Sequence, residues 1–298
     1  MKEKQFSLTA MMCAYLRAAH AKHGEPKIFD DFLAEQLIPE ENRLRIEEGL
    51  IQYLQLKAPE HSAAFPDKAT ALKRITETMN SRSNLLGRSR YTEDALEAAV
   101  KEGTRQYVIL GAGLDTFAFR RRDMLDKLRV FELDHPATQC FKTDRIAELG
   151  WAVPEQLNFI SMDFTQEDLA VVLKESSYDP KVKSFFSWLG VTMYLTREDV
   201  FKTLRAIADI VPSGSAIVFD YFDLDIFDPQ KVDLQMQEEM ARAQQAGEPM
   251  QTALDPSTLA ADLASAGFRL QEDLDQADIQ KRYSQGRKYA HIVQAWVE

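Results

Sequence analysis

VILGAGLDTFAFR (Val108–Arg120) is the stretch that decides the fold. An apolar run enters a glycine turn, Gly111-Ala112-Gly113-Leu114-Asp115-Thr116, and leaves it in a segment that can continue as helix. A strand, a glycine turn and a helix together open a nucleotide-binding α/β unit. Glycine lets backbone approach a ligand closely, and the helix start offers free N–H groups. Neither common glycine fingerprint fits. A dinucleotide turn of the form GxGxxG needs its third glycine at position 116, where Thr116 stands, and no GK[ST] follows to make a P-loop. Asp115, inside the turn, would repel a pyrophosphate. The turn better suits a ligand that carries a positive or neutral group and no phosphate. S-adenosylmethionine, with its sulfonium and ammonium, meets that description. An NAD(P)-dependent oxidoreductase and a non-catalytic nucleoside-cofactor-binding protein stay open as alternatives.

The strand downstream supplies a second test. VFELD places Glu132 and Asp134 on one face at period two, with Asp134 where the strand ends. A carboxylate there can accept both ribose hydroxyls of a nucleoside cofactor. Its structural alternative is a helix cap ahead of Pro136. The third strand ends in Ser161-Met162-Asp163-Phe164, an acidic–apolar pair suited to an adenine amino group and ring.

Further outward, short apolar runs alternate with amphipathic segments from about Gln106 onward. The runs YVILGAG, LRVFELD, LNFISMD, KSFFSWLGVTMYL, SAIVFDYFD, FRLQEDL and AHIVQAWVE read as seven strands. Residues 136–149, 165–175 and 197–210 read as the helices between them. This alternation predicts an α/β fold with a mostly parallel sheet covered on both faces. The last two strands flank a polar helical segment, QADIQKRYSQG, and are expected to pair antiparallel at one edge. A helical insertion at about 226–250 interrupts the pattern, with Val232, Met236 and Met240 in a stripe that faces either the core or a substrate pocket. The first 95 residues read as helical, forming a cap over a core of residues 96–298. Leu8, Met12, Tyr15 and Ala19 share one helix face, and IFDDFLAEQL and then Leu72, Ile75 and Met79 continue that reading, around a connection at 58–67.

Composition sets limits. A net charge of −11 argues against a nucleic-acid partner, because a phosphate backbone calls for a Lys/Arg surface. No run approaches the ~18 apolar residues of a membrane span. The start of the chain lacks the apolar core of a secretory signal, so a cytoplasmic location is expected. The two cysteines, Cys13 and Cys140, lie far apart without metal-ligand spacing, so neither a metal site nor a disulfide framework is expected.

The blocks GRSR (87–90), QYVILGAGLDTFAFR (106–120), VFELDHPATQCFK (130–142), NFISMDF (158–164) and SFFSWLGVTMYL (184–195) together resemble the leucine carboxyl methyltransferase family. The likeness is to that family's bacterial branch of S-adenosylmethionine-dependent O-methyltransferases, and it extends over essentially the whole chain. It implies a class I methyltransferase (Rossmann-like) sheet of seven strands with an antiparallel C-terminal edge, plus an N-terminal helical cap. It implies that Arg88 of GRSR binds the methionine carboxylate of the cofactor, with Arg90 as the second arginine of that block. Gly111, Ala112 and Gly113 pass under the methionine part, Asp134 holds the ribose, and Asp163 with Phe164 holds the adenine. Asp115 either faces the methionine end or holds the turn. Many family members carry a glutamate before the glycine of the fourth-strand block, where this chain has Leu189 before Gly190.

The acceptor implied is a small molecule, a secondary metabolite among the options, methylated on a carboxylate or hydroxyl. Tyr194 and Tyr221, at the ends of strands four and five, are the candidate catalytic residues, and Asp220 and Asp223 could orient a substrate group. No evident general base is present. His135 starts a helix, His291 lies in the last strand, and His20 and His23 reach the site only if the cap brings them there.

Overall fold

The computed structural model describes residues 6–57, 60 and 65–298. The connection expected at 58–67 and the charged start of the chain fall largely outside these residues. Among the described residues, four helices precede the sheet: α1 (Leu8–His23), α2 (Glu40–Lys57), α3 (Lys68–Ser81) and α4 (Leu85–Lys101). Ser7 caps α1 by accepting from Ala10 N, and Asp67 caps α3 by accepting from Thr70 N. The fourth helix runs past the expected boundary at residue 95 as one unbroken element. IFDDFLAEQL is not the helix its pattern predicts. Only Ala34–Leu37 makes a short 3₁₀ turn, because Phe29 and Asp31 are drawn into contacts with the sheet domain.

Seven strands follow: β1 (Gln106–Leu110), β2 (Arg129–Asp134), β3 (Leu157–Ser161), β4 (Ser184–Trp188), β5 (Ala216–Phe222), β6 (Phe268–Leu274) and β7 (Ala290–Val297). They form one sheet in the order β3-β2-β1-β4-β5-β7-β6. All neighbours from β3 to β5 are parallel, with Val108 opposite Phe131 on one side and Phe186 on the other. The last strand is antiparallel to both β5 and β6, as the sequence predicts. β1, β4 and β5 are buried throughout, which is why they read as continuous apolar runs and not as alternating ones. The run KSFFSWLGVTMYL is a strand only as far as Trp188. Gly190 turns the chain, and Thr192–Tyr194 form a 3₁₀ turn.

Helices cover both faces. The intervening ones are α5 (Pro136–Glu148), α6 (Leu169–Lys174), α7 (Arg197–Ile210), α8 (Leu234–Ala246), α9 (Leu259–Ser265) and α10 (Gln276–Tyr283). On one face Tyr107, Ile109 and Phe185 pack with Met11, Tyr15 and Leu96 of the helical segment. On the other, Val108, Phe131, Phe186 and Trp188 pack with Leu173 and Leu204. A third cluster joins Met193, Phe222, Met236 and Tyr289, with Tyr194, Val232 and Met240 packed against it. The stripe of the insertion therefore faces this satellite core, beside Tyr194.

Chain order reverses between β1 and β4. In an open parallel sheet the crevice beyond the C-terminal ends of two such strands is where ligands bind.

Candidate cofactor site

Gly111 and Gly113 lie beyond the end of β1, both with positive φ (+70° and +52°), a conformation that favours glycine. Gly111 N and Ala112 N both donate to Leu133 O, at 2.8 and 3.0 Å, which ties the turn to the end of β2. Two neighbours press on the turn. Any Cβ at Gly111 would collide with Val191, and one at Gly113 would come within 3.0 Å of Ala10 Cβ in α1. The helical segment thus lies directly over the glycine turn.

Asp134 ends β2 with its carboxylate turned to that turn. One oxygen accepts from Gly113 N and the other from His135 N at 2.6 Å. Asp134 is not a helix cap; His135 takes that role for α5, with its Nδ1 accepting from Ala137 N. A carboxylate has about four lone-pair positions, so room remains for ribose hydroxyls. Burial raises the Asp134 carboxyl above its usual value, against the pull of the two backbone hydrogen bonds.

Asp115 holds the turn. Its Oδ1 accepts from Phe117 N at 2.6 Å, fixing the first turn of the following helical segment. Behind it, a chain of buried polar contacts fastens the turn to the helical segment. Thr116 Oγ1 donates to Asp31 Oδ1 at 2.5 Å, Arg17 Nε donates to Asp31 Oδ2 at 2.8 Å, and Arg17 Nη2 donates to Leu114 O at 2.7 Å. Arg120 pairs with Glu93 of α4 and lies over the Phe29 ring. None of these partners was identifiable from periodicity alone.

Arg88, on α4, reaches the same rim from the other side. Its Nη1 donates to Asp220 Oδ2 at 2.5 Å, and Gly190 N donates to Asp220 Oδ1 at 2.6 Å. Asp220 is thus a buried anchor for the arginine and for the loop leaving β4. Glycine is needed at 190, since a Cβ would lie 2.7 Å from Arg88 Nη2. Arg88 Nε is buried without a partner. A buried guanidinium N–H without an acceptor can donate to a further carboxylate.

Asp163 and Phe164 follow β3 at the same edge. Asp163 Oδ1 accepts from Thr165 N at 2.9 Å and from Thr165 Oγ1 at 2.7 Å. Partial burial works to raise this carboxyl, but the Thr165 hydrogen bonds outweigh it and hold it below its usual value. The Phe164 ring lies 6.0 Å from the Trp188 ring.

Tyr194 sits in the 3₁₀ turn beyond β4. Its phenol lies within electrostatic reach of Cys13, Glu248, Arg287 and Arg88. Tyr221 is not brought to this group. Adjacent strand residues face opposite sides, and Asp220 faces α4, so Tyr221 faces away. Its hydroxyl donates to Asp273 at 2.9 Å, and its ring stacks on His291. Arg90 pairs with Asp94 along its own helix. Asp223 caps a short 3₁₀ turn by accepting from Asp225 N. His20 does not reach the site, because its Nε2 accepts from Ile28 N at 2.9 Å. Two surface hollows, of about 310 and 420 Å³, open at the opposite ends of the strands and touch none of these residues.

The sheet order and the glycine turn at the end of β1 are those of a class I S-adenosylmethionine-dependent methyltransferase. The sequence profile of the leucine carboxyl methyltransferase family matches residues 10–208, and the chain belongs to that family. A Bacillus subtilis (strain 168) protein, "Putative S-adenosyl-L-methionine-dependent methyltransferase YktD", is 34% identical over 295 residues, covering 97% of this chain and 94% of that one. A relative from Mycobacteroides abscessus with the same class name is 31% identical over 212 residues, 70% of this chain and 65% of its own. A DUF574 family protein of Streptomyces avermitilis shares the fold, with a TM-score of 0.54 at 17% identity over 76% of this chain and 91% of that one. The cofactor is S-adenosylmethionine. Among the described residues, no helix is long and apolar enough to cross a membrane.

Proposed function

We propose that the chain transfers the methyl group to an oxygen of a small-molecule acceptor, a carboxylate or a hydroxyl. In that reading Arg88 holds the methionine carboxylate, Asp134 the ribose, and Asp163 with Phe164 the adenine. The cofactor would supply an electrophilic methyl on a sulfonium, and the acceptor oxygen would bond to that carbon as the carbon–sulfur bond breaks in line, with S-adenosylhomocysteine as the leaving group. Most of the rate of such a displacement can come from alignment, so the protein's task is to position the two partners.

The observation that carries the choice of oxygen is the state of Tyr194. Its hydroxyl makes no hydrogen bond among the described residues, between the cofactor end marked by Arg88 and the apolar cluster of Met193, Phe222 and Met236. Burial foremost, with the nearby Cys13 and Glu248, pushes this phenol up to about 12, so at neutral pH it is a hydrogen-bond donor and not a base. His20, His135 and His291 are each committed to other contacts. A site of this kind suits an acceptor already ionised at neutral pH, which favours the carboxylate over the hydroxyl.

The test incubates the purified protein with methyl-labelled S-adenosylmethionine and a small-molecule extract, followed by mass spectrometry of the labelled product. A base-labile methyl ester is the expected outcome, and a base-stable ether would indicate a hydroxyl acceptor. Label carried on nitrogen or carbon would overturn the proposal.

A further inference from the structure

Trp188 closes β4 at the rim of the cofactor crevice. It is fully buried, and its indole Nε1 has no acceptor among the described residues. Buried tryptophan N–H groups nearly always find a partner, and leaving one unmade is costly. Among the described residues, the other unpartnered buried side-chain atoms belong to Asn80 of α3, to Arg88, Arg90 and Thr92 of α4, and to Glu132. Glu132 pairs with Lys142 on the helical-segment side of the sheet, so among the described residues Trp188 is the one such group on the opposite side. Two features of its surroundings point to the nucleoside end. Phe164, from the end of β3, is its aromatic neighbour at 6.0 Å, and Val191, three residues on, packs against Gly111.

We infer that Trp188 recognises the adenine ring of the cofactor, its indole N–H donating to one of the ring nitrogens beside Phe164. A neutral donor among apolar side chains suits a neutral heteroaromatic acceptor and not the carboxylate end, which has Arg88. The inference rests on the cofactor site described above and not on the choice of methyl acceptor.

Calorimetry with S-adenosylhomocysteine tests it. Trp188→Phe keeps an aromatic ring and removes the donor, and is expected to weaken binding about fivefold to tenfold. Analogues lacking one adenine nitrogen (1-deaza, 3-deaza, 7-deaza) identify the acceptor. One of them should bind the unaltered protein more weakly by a similar factor, with no further loss in Trp188→Phe. Unchanged affinity in the variant, or losses that add for every analogue, would overturn the assignment. A second readout needs no change at position 188. The chain has three tryptophans, so in a Trp151→Phe, Trp296→Phe background the emission reports Trp188 alone. It should shift on titration with S-adenosylhomocysteine, and a flat response refutes the contact. Failure of the unaltered protein to bind S-adenosylhomocysteine would instead overturn the cofactor site itself.

Discussion

Behind the glycine turn, Thr116, Asp31, Arg17, Arg120 and Glu93 satisfy one another in a buried polar chain that joins the helical segment to β1. In front of it, Arg88 Nε and Trp188 Nε1 are buried without partners, and Asp134 keeps spare acceptor capacity. Both regions are polar and secluded, yet they serve different ends. The rear closes on itself and contributes to stability and register, whereas the front keeps donors and acceptors that a ligand can meet. Changes behind the turn should therefore move unfolding, and changes in front should move cofactor affinity.

Asp31→Ala should have the largest effect. Asp31 is 1% exposed and accepts from both Arg17 and Thr116, with Arg120 Nε 3.8 Å away. Its loss leaves a mostly buried Arg17 without its carboxylate, a change that costs about 3–5 kcal/mol. Urea denaturation should show the midpoint fall accordingly. A shift below about 1 kcal/mol would mean that the rear network is not the structural clamp described here.

The Glu132–Lys142 pair sharpens the contrast through pH. Both side chains are fully buried, with Lys142 on α5 beneath the sheet. Burial, opposed by Lys142, lifts the Glu132 carboxyl from 4.5 to about 7. Below 4.5 both folded and unfolded chains hold the proton, so nothing changes there. Between 4.5 and 7 the unfolded chain releases it and the folded chain keeps it, so this group makes stability fall as pH rises, by at most about 1.4 kcal/mol per pH unit. The paired replacement Glu132→Gln with Lys142→Met removes both ionisable groups. Denaturation across pH 4.5–7 should show the variant less pH-dependent than the original by that slope, and parallel curves would refute the raised carboxyl.

What could be read in advance follows the same division. The strand ends, the turn and the place of Asp134 at the close of β2 were legible because they depend on local chemistry: glycine where φ is positive, and an acid where a strand ends. The antiparallel edge followed from element order. IFDDFLAEQL misled because Asp31 and Phe29 act through distant partners, Arg17, Thr116 and Arg120, and tertiary contacts override local helical pattern. Tyr221 misled for a different reason. Alternation in VFDYFD separates Asp220 from Tyr221, but no sequence pattern says which of the two faces the crevice. Trp188 sits in a mostly apolar, wholly buried strand and reads as core; only its unmet N–H distinguishes it.

Asp134→Ala is the most specific in kind of the changes at the front. On the proposed reading this carboxylate holds the ribose, so S-adenosylhomocysteine should bind at least tenfold more weakly by calorimetry, as expected from losing ~1.4 kcal/mol or more of charge-assisted hydrogen bonding. The carboxylate also accepts from Gly113 N and His135 N, so a purely structural part must be separated. Adenine alone, which lacks the ribose, provides the control. If Asp134 acts on the ribose, adenine should bind the variant and the original equally. Equal losses for both ligands would mean that Asp134 only shapes the turn, and the line between a self-satisfied rear and a ligand-completed front would have to be redrawn through it.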